Sequence, residues 1–487
     1  MLLKKLQDTG LYYQKCYIDG EWCDAENNSI VKVLNPATGE SLGTVPKMGE
    51  TETRRAIEAA NRALPAWREK TAQERSELLR NWYALLLENR EELALLMTAE
   101  QGKPLNEARG EISYAASFIE WFAEEGKRVY GDIIPTYQRD KRLLVLKQPV
   151  GVCAAITPWN FPSAMITRKA APALAAGCTM VLKPASATPY SALALAELSQ
   201  RAGIPQGVFN VITGSSDAIG SELTSNPLVR KLTFTGSTET GKKLLVACSD
   251  TLKKVTLELG GNAPFIVFDD ADLDAAIEGA IASKFRNNGQ TCACANRFLI
   301  QDGIYDTFSR KLAEKVGSMK VGNGLDEETQ LGPLINMGAV ESVEMHIDDA
   351  VSKGASIVSG GKRHALGGTF FEPTVLTDVT PEMMLTDEEI FGPVAPLFHF
   401  KTEKQAIELA NATEYGLASY FYTRDLARAW RVAEALEYGM VGLNTGLIST
   451  TVAPFGGVKS SGLGREGSRY GIDAYLEIKY LCMGEIS

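Results

Sequence analysis

Short apolar runs alternate with helix-like stretches between residues 150 and 260. The runs are VGVCAAIT, CTMVLK, GVFNVI, KLTFTG and KVTLEL. Apolar strands separated by helices are typical of a mostly parallel sheet with helices on both faces. Such sheets bind ligands at the carboxyl ends of their strands. The residues that follow each apolar run are therefore the first candidates for catalytic or ligand-binding residues.

A second alternation, containing PFIVFDD and RFLIQDG, starts near residue 264 and runs to about 455. It predicts a second α/β domain. LLVLKQP at 143–149 and YLEIKYLC at 475–482 look like lone strands outside both domains. Their unpaired edges are natural pairing sites.

The first 130 residues look largely helical. Thr71 and Glu74 form a capping box before one long helix that Gly102 and Pro104 end. A second helical pattern follows and ends near Gly126.

Composition narrows the class of protein. A chain of 487 residues suggests two or three domains. A net charge of −10 argues against a nucleic-acid or anionic-membrane partner. No signal peptide or membrane-length apolar run is visible, and the eight cysteines are scattered, which predicts free thiols in the cytoplasm.

Metal chemistry is not expected. The three histidines, His346, His364 and His399, lie in no metal-ligand spacing, and no CxxC accompanies the one CxC pair. A cysteine nucleophile in this chain would therefore also have to work without a histidine base.

The CxC pair lies in GQTCACANR, residues 289–297. Cys292 and Cys294 could be half a metal site, a disulfide, a nucleophile with a neighbour, or two small core residues. Gly289 and Gln290 break the preceding helix, which exposes the Cys292 thiol, and a thiolate is a strong nucleophile. A disulfide between residues two apart is strained.

Two motifs indicate a dinucleotide site. In FTGSTETG, Gly236 and Gly241 let backbone N–H groups approach an anion at a helix N-terminus, and Ser237 adds a hydroxyl. In KPAS, Lys183 could hold ribose or phosphate, and the small neutral Ser186 leaves room for a 2′-phosphate, which favours NADP over NAD. An ordinary strand-to-helix turn and a solvated lysine are the alternatives.

Two further motifs end strands. Two prolines in PWNFP hold Asn160 rigid, as an oxyanion donor requires, although asparagine is common in such turns. In LELGGNAP, Glu258 lies among leucines, which raises the pKa of a carboxyl group and suits a general base. A Glu258 paired with lysine or arginine is the alternative.

Together these motifs resemble the aldehyde dehydrogenase superfamily over essentially the whole chain. EEIFGPV at 388–394 and PFGGVKSSGLGREG at 454–467 extend the match. FIEWFAEEGKRVYGD, KFRNNGQTCACANR and LEYGMVGLNTGLIS make it most similar to the NADP-preferring succinate-semialdehyde dehydrogenases.

The resemblance implies a mechanism. Cys292 attacks the aldehyde, Asn160 and the Cys292 N–H hold the oxyanion, hydride leaves for the nicotinamide, and Glu258 activates water to hydrolyse the thioester. The positions that match cofactor contacts are Trp159, Lys183, Ser186, Gly236, Ser237, Thr240, Leu259, Glu389 and Phe391.

The resemblance also implies a substrate, succinate semialdehyde, and a place in GABA breakdown. Arg168, Arg286 and Ser449 match the residues that bind its carboxylate. Glutarate semialdehyde differs by one methylene and stays an alternative, as does a broader aldehyde specificity. For each arginine, a structural ion pair is the alternative role. Cys294 matches a reversible redox partner of Cys292, or is a small residue filling a turn.

The implied fold has two Rossmann-like α/β domains and a small β bridging segment. Residues 1–133 and 152–263 would bind the dinucleotide, 264–455 would be catalytic, and 134–151 with 466–487 would bridge subunits. Homodimers or homotetramers are expected.

Overall fold

The computed structural model describes residues 2–485; Met1, Ile486 and Ser487, which fall in the predicted segments 1–133 and 466–487, lie outside the described residues. The helices are α1 Leu2–Asp8, α2 Glu50–Glu69, α3 Ala72–Glu88, α4 Arg90–Gln101, α5 Leu105–Glu125, α6 Ala164–Ala176, α7 Pro189–Arg201, α8 Ser216–Ser225, α9 Thr238–Cys248, α10 Leu273–Lys284, α11 Tyr305–Gly317, α12 Met337–Ser352, α13 Glu403–Asn411 and α14 Leu426–Ala435. The strands are β1 Cys16–Ile18, β2 Glu21–Cys23, β3 Ile30–Leu34, β4 Ser41–Pro46, β5 Asp132–Ile134, β6 Arg142–Pro149, β7 Val152–Ile156, β8 Thr179–Lys183, β9 Phe209–Val211, β10 Val229–Thr235, β11 Lys254–Glu258, β12 Ala263–Val267, β13 Ala295–Gln301, β14 Ser356–Ser359, β15 Thr374–Val379, β16 Val394–Phe400, β17 Ala418–Tyr422, β18 Met440–Leu443, β19 Gly462–Leu463 and β20 Leu476–Met483.

The first alternation forms the centre of an eight-stranded sheet in the order β19-β11-β10-β7-β8-β9-β1-β2. Strands β7 to β11 are parallel, as their apolar sequences predict. The antiparallel strand β19 closes one edge by pairing Gly462 with Glu258. The ends of β7, β8, β10 and β11 therefore meet at one edge of the sheet, with Glu258 covered by a later part of the chain.

The second alternation forms a seven-stranded sheet in the order β14-β15-β16-β13-β12-β17-β18. All pairs except the outer β14–β15 are parallel. The two-sheet α/β architecture is thus confirmed, whereas the exact domain boundaries stay a prediction.

The two lone strands pair with each other. β20 lies antiparallel to β6 along its whole length, and β5 covers the other edge of β6. Apolar side chains are exposed on both faces of this small sheet, with Ile133 82%, Ile478 72% and Tyr480 58% exposed.

The N-terminal region departs from the prediction in two ways. Strands β1 to β4 lie within the first 130 residues, where mostly helix is expected; they are only three to six residues long, too short for a clear alternation. The expected long helix is two helices, α3 and α4, because the chain turns at Asn89. The capping box of Thr71 and Glu74 and the end at Gly102 are confirmed.

Buried side chains fill both sheets' faces in separate clusters. One surrounds Trp82, Phe118 and Phe209, and another surrounds Phe265 and Phe298. Across residues 2–485, no helix combines the length and apolarity needed to cross a membrane.

Candidate active site

A cavity of about 260 Å³ lies where the strand ends of the first sheet face the loop before β13. Eight of the residues predicted from the sequence line it: Trp159, Asn160, Gly236, Ser237, Leu259, Cys292, Glu389 and Phe391. Pro158, Met165, Thr235 and Gly260 complete the lining. The two sheets thus bring the candidate nucleophile, the candidate oxyanion donor and most of the candidate cofactor contacts into one space.

Cys292 sits after a sharply wound segment. Asn287, Asn288 and Gly289 all have left-handed backbone, with φ of 50°, 56° and 75°. A Cβ on Gly289 would lie 2.1 Å from the Gly392 carbonyl oxygen, so only glycine fits there. A Cβ on Gly261 would lie 2.6 Å from the Cys292 carbonyl oxygen, so that glycine lets the loop pack against the first sheet.

The environment of Cys292 keeps its sulfur protonated. Burial, reinforced by the charges of Glu389 and Glu258, raises the pKa of the thiol to about 12, against the opposing effect of Arg168. A thiol in this state becomes a good nucleophile only when a base removes its proton.

Asn160 is buried in the turn after β7. Its side-chain Nδ2 donates one hydrogen bond to the Gln290 carbonyl oxygen at 3.0 Å, which leaves the second N–H of that amide for a ligand. The amide is thereby tied to the loop that carries Cys292.

Glu258, at the end of β11, is buried, and its Oε2 has no hydrogen-bond partner among residues 2–485. Burial and the charge of Glu466 raise the pKa of Glu258 well above its ordinary value, while Arg168 and Lys169 oppose the rise. Gly456 lies close by, because a Cβ there would come within 2.9 Å of Glu258 Oε1. The predicted raised pKa is present, although Glu258 is not part of the cavity lining named above.

The predicted phosphate cradle begins α9. Ser237 is the N-cap residue, and its Oγ accepts a hydrogen bond from the Thr240 N–H at 3.4 Å. A Cβ on Gly241 would lie 2.4 Å from Leu259 Cδ2, so glycine lets the helix approach the next strand end. Ser237 and Thr240 are both exposed at this helix N-terminus, which is an environment that favours an anion.

Lys183 and Ser186 lie together at the end of β8. The lysine is buried, and burial lowers the pKa of its ammonium group. Its Nζ donates only weakly, to the Pro184 carbonyl oxygen at 3.4 Å, whereas Ser186 is exposed. A buried cation so poorly paired favours an anionic or hydroxyl-rich ligand.

Glu389 and Phe391 close the cavity from the second sheet. Burial raises the pKa of Glu389 to about 8, and a Cβ on Gly260 would lie 2.8 Å from Glu389 Oε2. Its Oε1 has no hydrogen-bond partner in the described part of the chain. The Phe391 ring packs edge-on against Trp159 with 5.6 Å between ring centroids. Unpaired acceptors and aromatic walls fit a ribose and a nicotinamide.

Arg168 forms an ion pair with Glu466, which is the structural alternative considered for this arginine from the sequence. Its Nε lies 2.9 Å from Glu466 Oε2, and the neighbouring Lys169 binds the other carboxylate oxygen. The Phe455 and Phe118 rings face the guanidinium, at 4.1 and 5.2 Å from their centroids. Its buried Nη2 has no hydrogen-bond partner within residues 2–485, so one edge stays available.

Arg286 and Ser449 are placed differently. Arg286 is half-buried over the Phe161 ring, 4.9 Å from its centroid, and forms no ion pair within the described residues. Ser449 is exposed in the loop after β18. None of the three predicted carboxylate contacts lines the cavity that holds Cys292.

The second cysteine of the pair points into the protein. Cys294 is buried, and its thiol donates to the carbonyl oxygens of Lys284 and Ala295, each at 3.4 Å. Burial raises the pKa of this thiol. The described cysteines, including both members of the pair, are free thiols.

Glu466 is the charged residue that the sequence did not single out. It forms ion pairs with Arg168 and Lys169, and its charge raises the pKa of Glu258. Its sequence motif, GREG, indicates only a turn. The signal was the adjacent charges of Arg168 and Lys169 within a helix whose other residues are almost all apolar, since all of α6 is buried and buried cations require a partner. Within residues 2–485, no cluster of three or more histidine, cysteine, aspartate or glutamate side chains is arranged to hold a metal ion.

Known proteins resemble this chain both in sequence and in structure. The sequence profile of the Aldehyde dehydrogenase family matches residues 22–481. A glutarate-semialdehyde dehydrogenase of Pseudomonas aeruginosa is 68% identical over 482 residues, which are 99% of this chain and 100% of the relative. A succinate-semialdehyde dehydrogenase (NADP(+)) of Escherichia coli is 67% identical over 480 residues, which are 99% of this chain and 100% of that protein. The crystal structure of an Escherichia coli NADP-dependent enzyme superposes with a TM-score of 0.97 at 67% identity, covering 98% of this chain and 99% of that one.

Proposed function

Because the chain belongs to the aldehyde dehydrogenase family, we propose that it oxidises succinate semialdehyde to succinate with NADP. The enzyme class follows from the family and from close relatives that are aldehyde dehydrogenases. Glutarate semialdehyde is an equally supported substrate, because relatives with each name are 68% and 67% identical to this chain. The observation that carries the proposal is the common cavity of Cys292 and Asn160.

The proposed reaction begins at Cys292. Glu258, whose charge already acts on the Cys292 thiol, takes the proton of the thiol and passes it to solvent. The sulfur attacks the aldehyde carbon, and the carbonyl oxygen becomes an alkoxide. The free N–H of the Asn160 amide and the backbone N–H of Cys292 stabilise that alkoxide. The nicotinamide, when bound, supplies the oxidising chemistry by accepting a hydride.

Hydrolysis follows at Glu258. The raised pKa of its carboxyl group makes the carboxylate a stronger base than an exposed glutamate. It removes a proton from water, the resulting hydroxide attacks the thioester carbon, and the bond to Cys292 Sγ breaks to release the acid.

Four observations support a dinucleotide that occupies the cavity and the neighbouring strand ends of the first sheet. They are the helix N-terminus at Ser237, the poorly paired Lys183, the unpaired Glu389 Oε1 and the aromatic pair of Trp159 and Phe391. Exposed Ser186 beside Lys183 supports NADP, because an acidic side chain there would repel a 2′-phosphate. We propose NAD as a weaker alternative.

We propose that Arg286 and the free edge of Arg168 bind the substrate carboxylate. An unpaired, half-buried guanidinium gains from a carboxylate partner, because a charge-assisted bidentate contact replaces lost hydration. Ser449 is proposed as a third contact.

We also propose that the chain forms homodimers or homotetramers through the sheet of β5, β6 and β20. Its exposed apolar side chains, Ile133 and Ile478, and the free edge of β20 support self-association. Light scattering at several protein concentrations tests this directly.

The deciding experiment is a set of initial rates under reducing conditions. Succinate semialdehyde, glutarate semialdehyde and propanal are each compared with NADP and with NAD. We expect the highest kcat/KM for succinate semialdehyde with NADP. A higher value for glutarate semialdehyde would make that aldehyde the substrate. A higher value for propanal would contradict the proposed binding site for a substrate carboxylate. No turnover with any aldehyde would contradict the proposed roles of Cys292 and Glu258.

A further inference from the structure

QGKP, residues 101–104, is predicted from the sequence only to end a helix, yet Lys103 reaches the turn that carries Asn160. Its Nζ donates to the Asn160 carbonyl oxygen at 2.8 Å and lies 2.5 Å from Glu111 Oε2. The other oxygen of Glu111 accepts the N–H groups of Ser163 at 2.9 Å and Ala164 at 3.2 Å. One ion pair therefore fixes both the start of this turn and the first residues of α6.

The same turn is linked to the loop that carries Cys292. Asn287 Nδ2 also donates to the Asn160 carbonyl oxygen, at 2.9 Å, and Asn160 Nδ2 donates to Gln290 O at 3.0 Å. Gln101 Nε2 donates to Asn287 Oδ1 at 2.9 Å, while its Oε1 accepts the Lys103 N–H at 2.8 Å. Lys103, Asn160, Asn287 and Gln101 thus form a closed, buried ring of hydrogen bonds.

Burial of a charged lysine at this position costs desolvation free energy. Lys103 and Glu111 are both almost completely buried, and burial lowers the pKa of Lys103 against the opposing effect of Glu111. Buried ion pairs are weak evidence for a stabilising role, because well-packed apolar residues often serve stability equally well. A specific geometric task at Asn160 accounts for the pair better than stability does.

We infer that Lys103 is a positioning residue for the reaction: it holds the Asn160 peptide so that the side-chain amide stays directed at the substrate oxygen. Lys103 does not line the cavity named above, so it acts through Asn160. The inference rests on the proposed role of Asn160 as oxyanion donor.

The test replaces the ion pair without leaving a buried charge. In K103M/E111Q the side-chain amide oxygen at position 111 can still accept the Ser163 N–H, but the donor to the Asn160 carbonyl oxygen is lost. We expect kcat to fall about tenfold to a hundredfold, because a small displacement of an aligned group has effects of that size. The KM values for aldehyde and NADP should change by no more than about twofold, since neither is bound by Lys103.

Two controls separate positioning from folding. Lys231→Met removes another buried lysine, one that donates to Thr256 Oγ1 at 3.0 Å, and should leave kcat unchanged. The rate of Cys292 alkylation by iodoacetamide, which needs no oxyanion donor, should be the same in wild type, K231M and K103M/E111Q. A parallel loss of kcat, alkylation rate and thermal stability in K103M/E111Q would overturn the inference, as would an unchanged kcat.

Asn160→Ala distinguishes this inference from the proposed function. If Lys103 acts through Asn160, adding K103M/E111Q to N160A lowers kcat by no more than about a further twofold, because coupled residues are not additive. Full additivity would show that Lys103 acts elsewhere. If N160A alone keeps the wild-type kcat, the proposed oxyanion role fails whatever Lys103 does.

Discussion

The Nε atom of Arg168 lies 2.9 Å from Glu466 Oε2, and both side chains are almost completely buried. Glu466 also binds Lys169 and raises the pKa of Glu258. The Glu466 carboxylate therefore offsets part of the positive charge of Arg168 and Lys169. It thereby affects both the proposed base, Glu258, and the proposed substrate site at Arg168.

Replacing Glu466 with glutamine should extend activity to lower pH. The substitution removes the negative charge that raises the Glu258 pKa, and it frees Arg168 and Lys169, which lower that pKa. A general base loses activity as pH falls through its pKa, so a lower pKa moves the acid limb of the kcat profile to lower pH. Glu408→Gln, which breaks a surface pair with Lys404, is the control, and an acid limb that stays or moves up contradicts the prediction.

Arg286→Met should weaken binding of charged aldehydes alone. Loss of a charge-assisted hydrogen bond of about 1.5–3 kcal/mol raises the KM for succinate semialdehyde about tenfold or more, whereas the KM for propanal stays the same. Arg310→Met, on the surface of α11, is the matched control. An equal effect on both aldehydes would mean that Arg286 has a structural role.

Ser186→Glu should reverse the cofactor preference. A carboxylate beside the 2′-phosphate repels it, so kcat/KM with NADP falls about tenfold or more while that with NAD changes little. Ser216→Glu, at the start of α8, adds the same charge elsewhere. The preference is measured as the ratio of the two kcat/KM values, and an unchanged ratio removes Ser186 from the cofactor site.

Cys294→Ser should change the response to peroxide. If Cys292 and Cys294 close a disulfide, two thiols and one peroxide give one disulfide and two waters, and reductant restores wild-type activity. The serine variant cannot close that bond, so reductant should restore less of its activity. Cys248→Ser, another buried thiol, should behave like wild type. Equal inactivation and equal rescue of the wild type and the Cys294 variant would leave Cys294 as a core residue, which its inward hydrogen bonds also fit.

Gly289→Ala should destabilise the loop before Cys292. The left-handed backbone, with φ of 75°, costs about 1–3 kcal/mol for a residue with a Cβ, and the new atom would collide with the Gly392 carbonyl. Gly354→Ala, at φ of 104° with nothing near its Cβ, isolates the backbone contribution. We expect a larger fall in Tm at 289 than at 354, and equal falls would argue against the collision.

The sequence predicts best where one strand or one motif carries the signal. The parallel cores of both sheets and the cluster around Cys292 follow from apolar runs and the polar residues after them. The short strands β1 to β4 and the break at Asn89 depend on tertiary packing that no local pattern records. The partners of Lys103 and Arg168 were equally hidden, because long-range ion pairs leave no periodicity in the chain.

Strand β19 makes the surroundings of Glu258 depend on the last part of the chain. The parallel strands β7 to β11 all precede Gly462 and Leu463 in the chain, and these two residues pair with the edge strand that ends in Glu258. Until residue 466 has been made, Arg168 and Lys169 have no carboxylate partner, and the carboxyl group of Glu258 is uncovered. A chain shortened before residue 462 would therefore contain Cys292 and Glu258 but would lack both the strand that covers Glu258 and the carboxylate that pairs with Arg168 and Lys169.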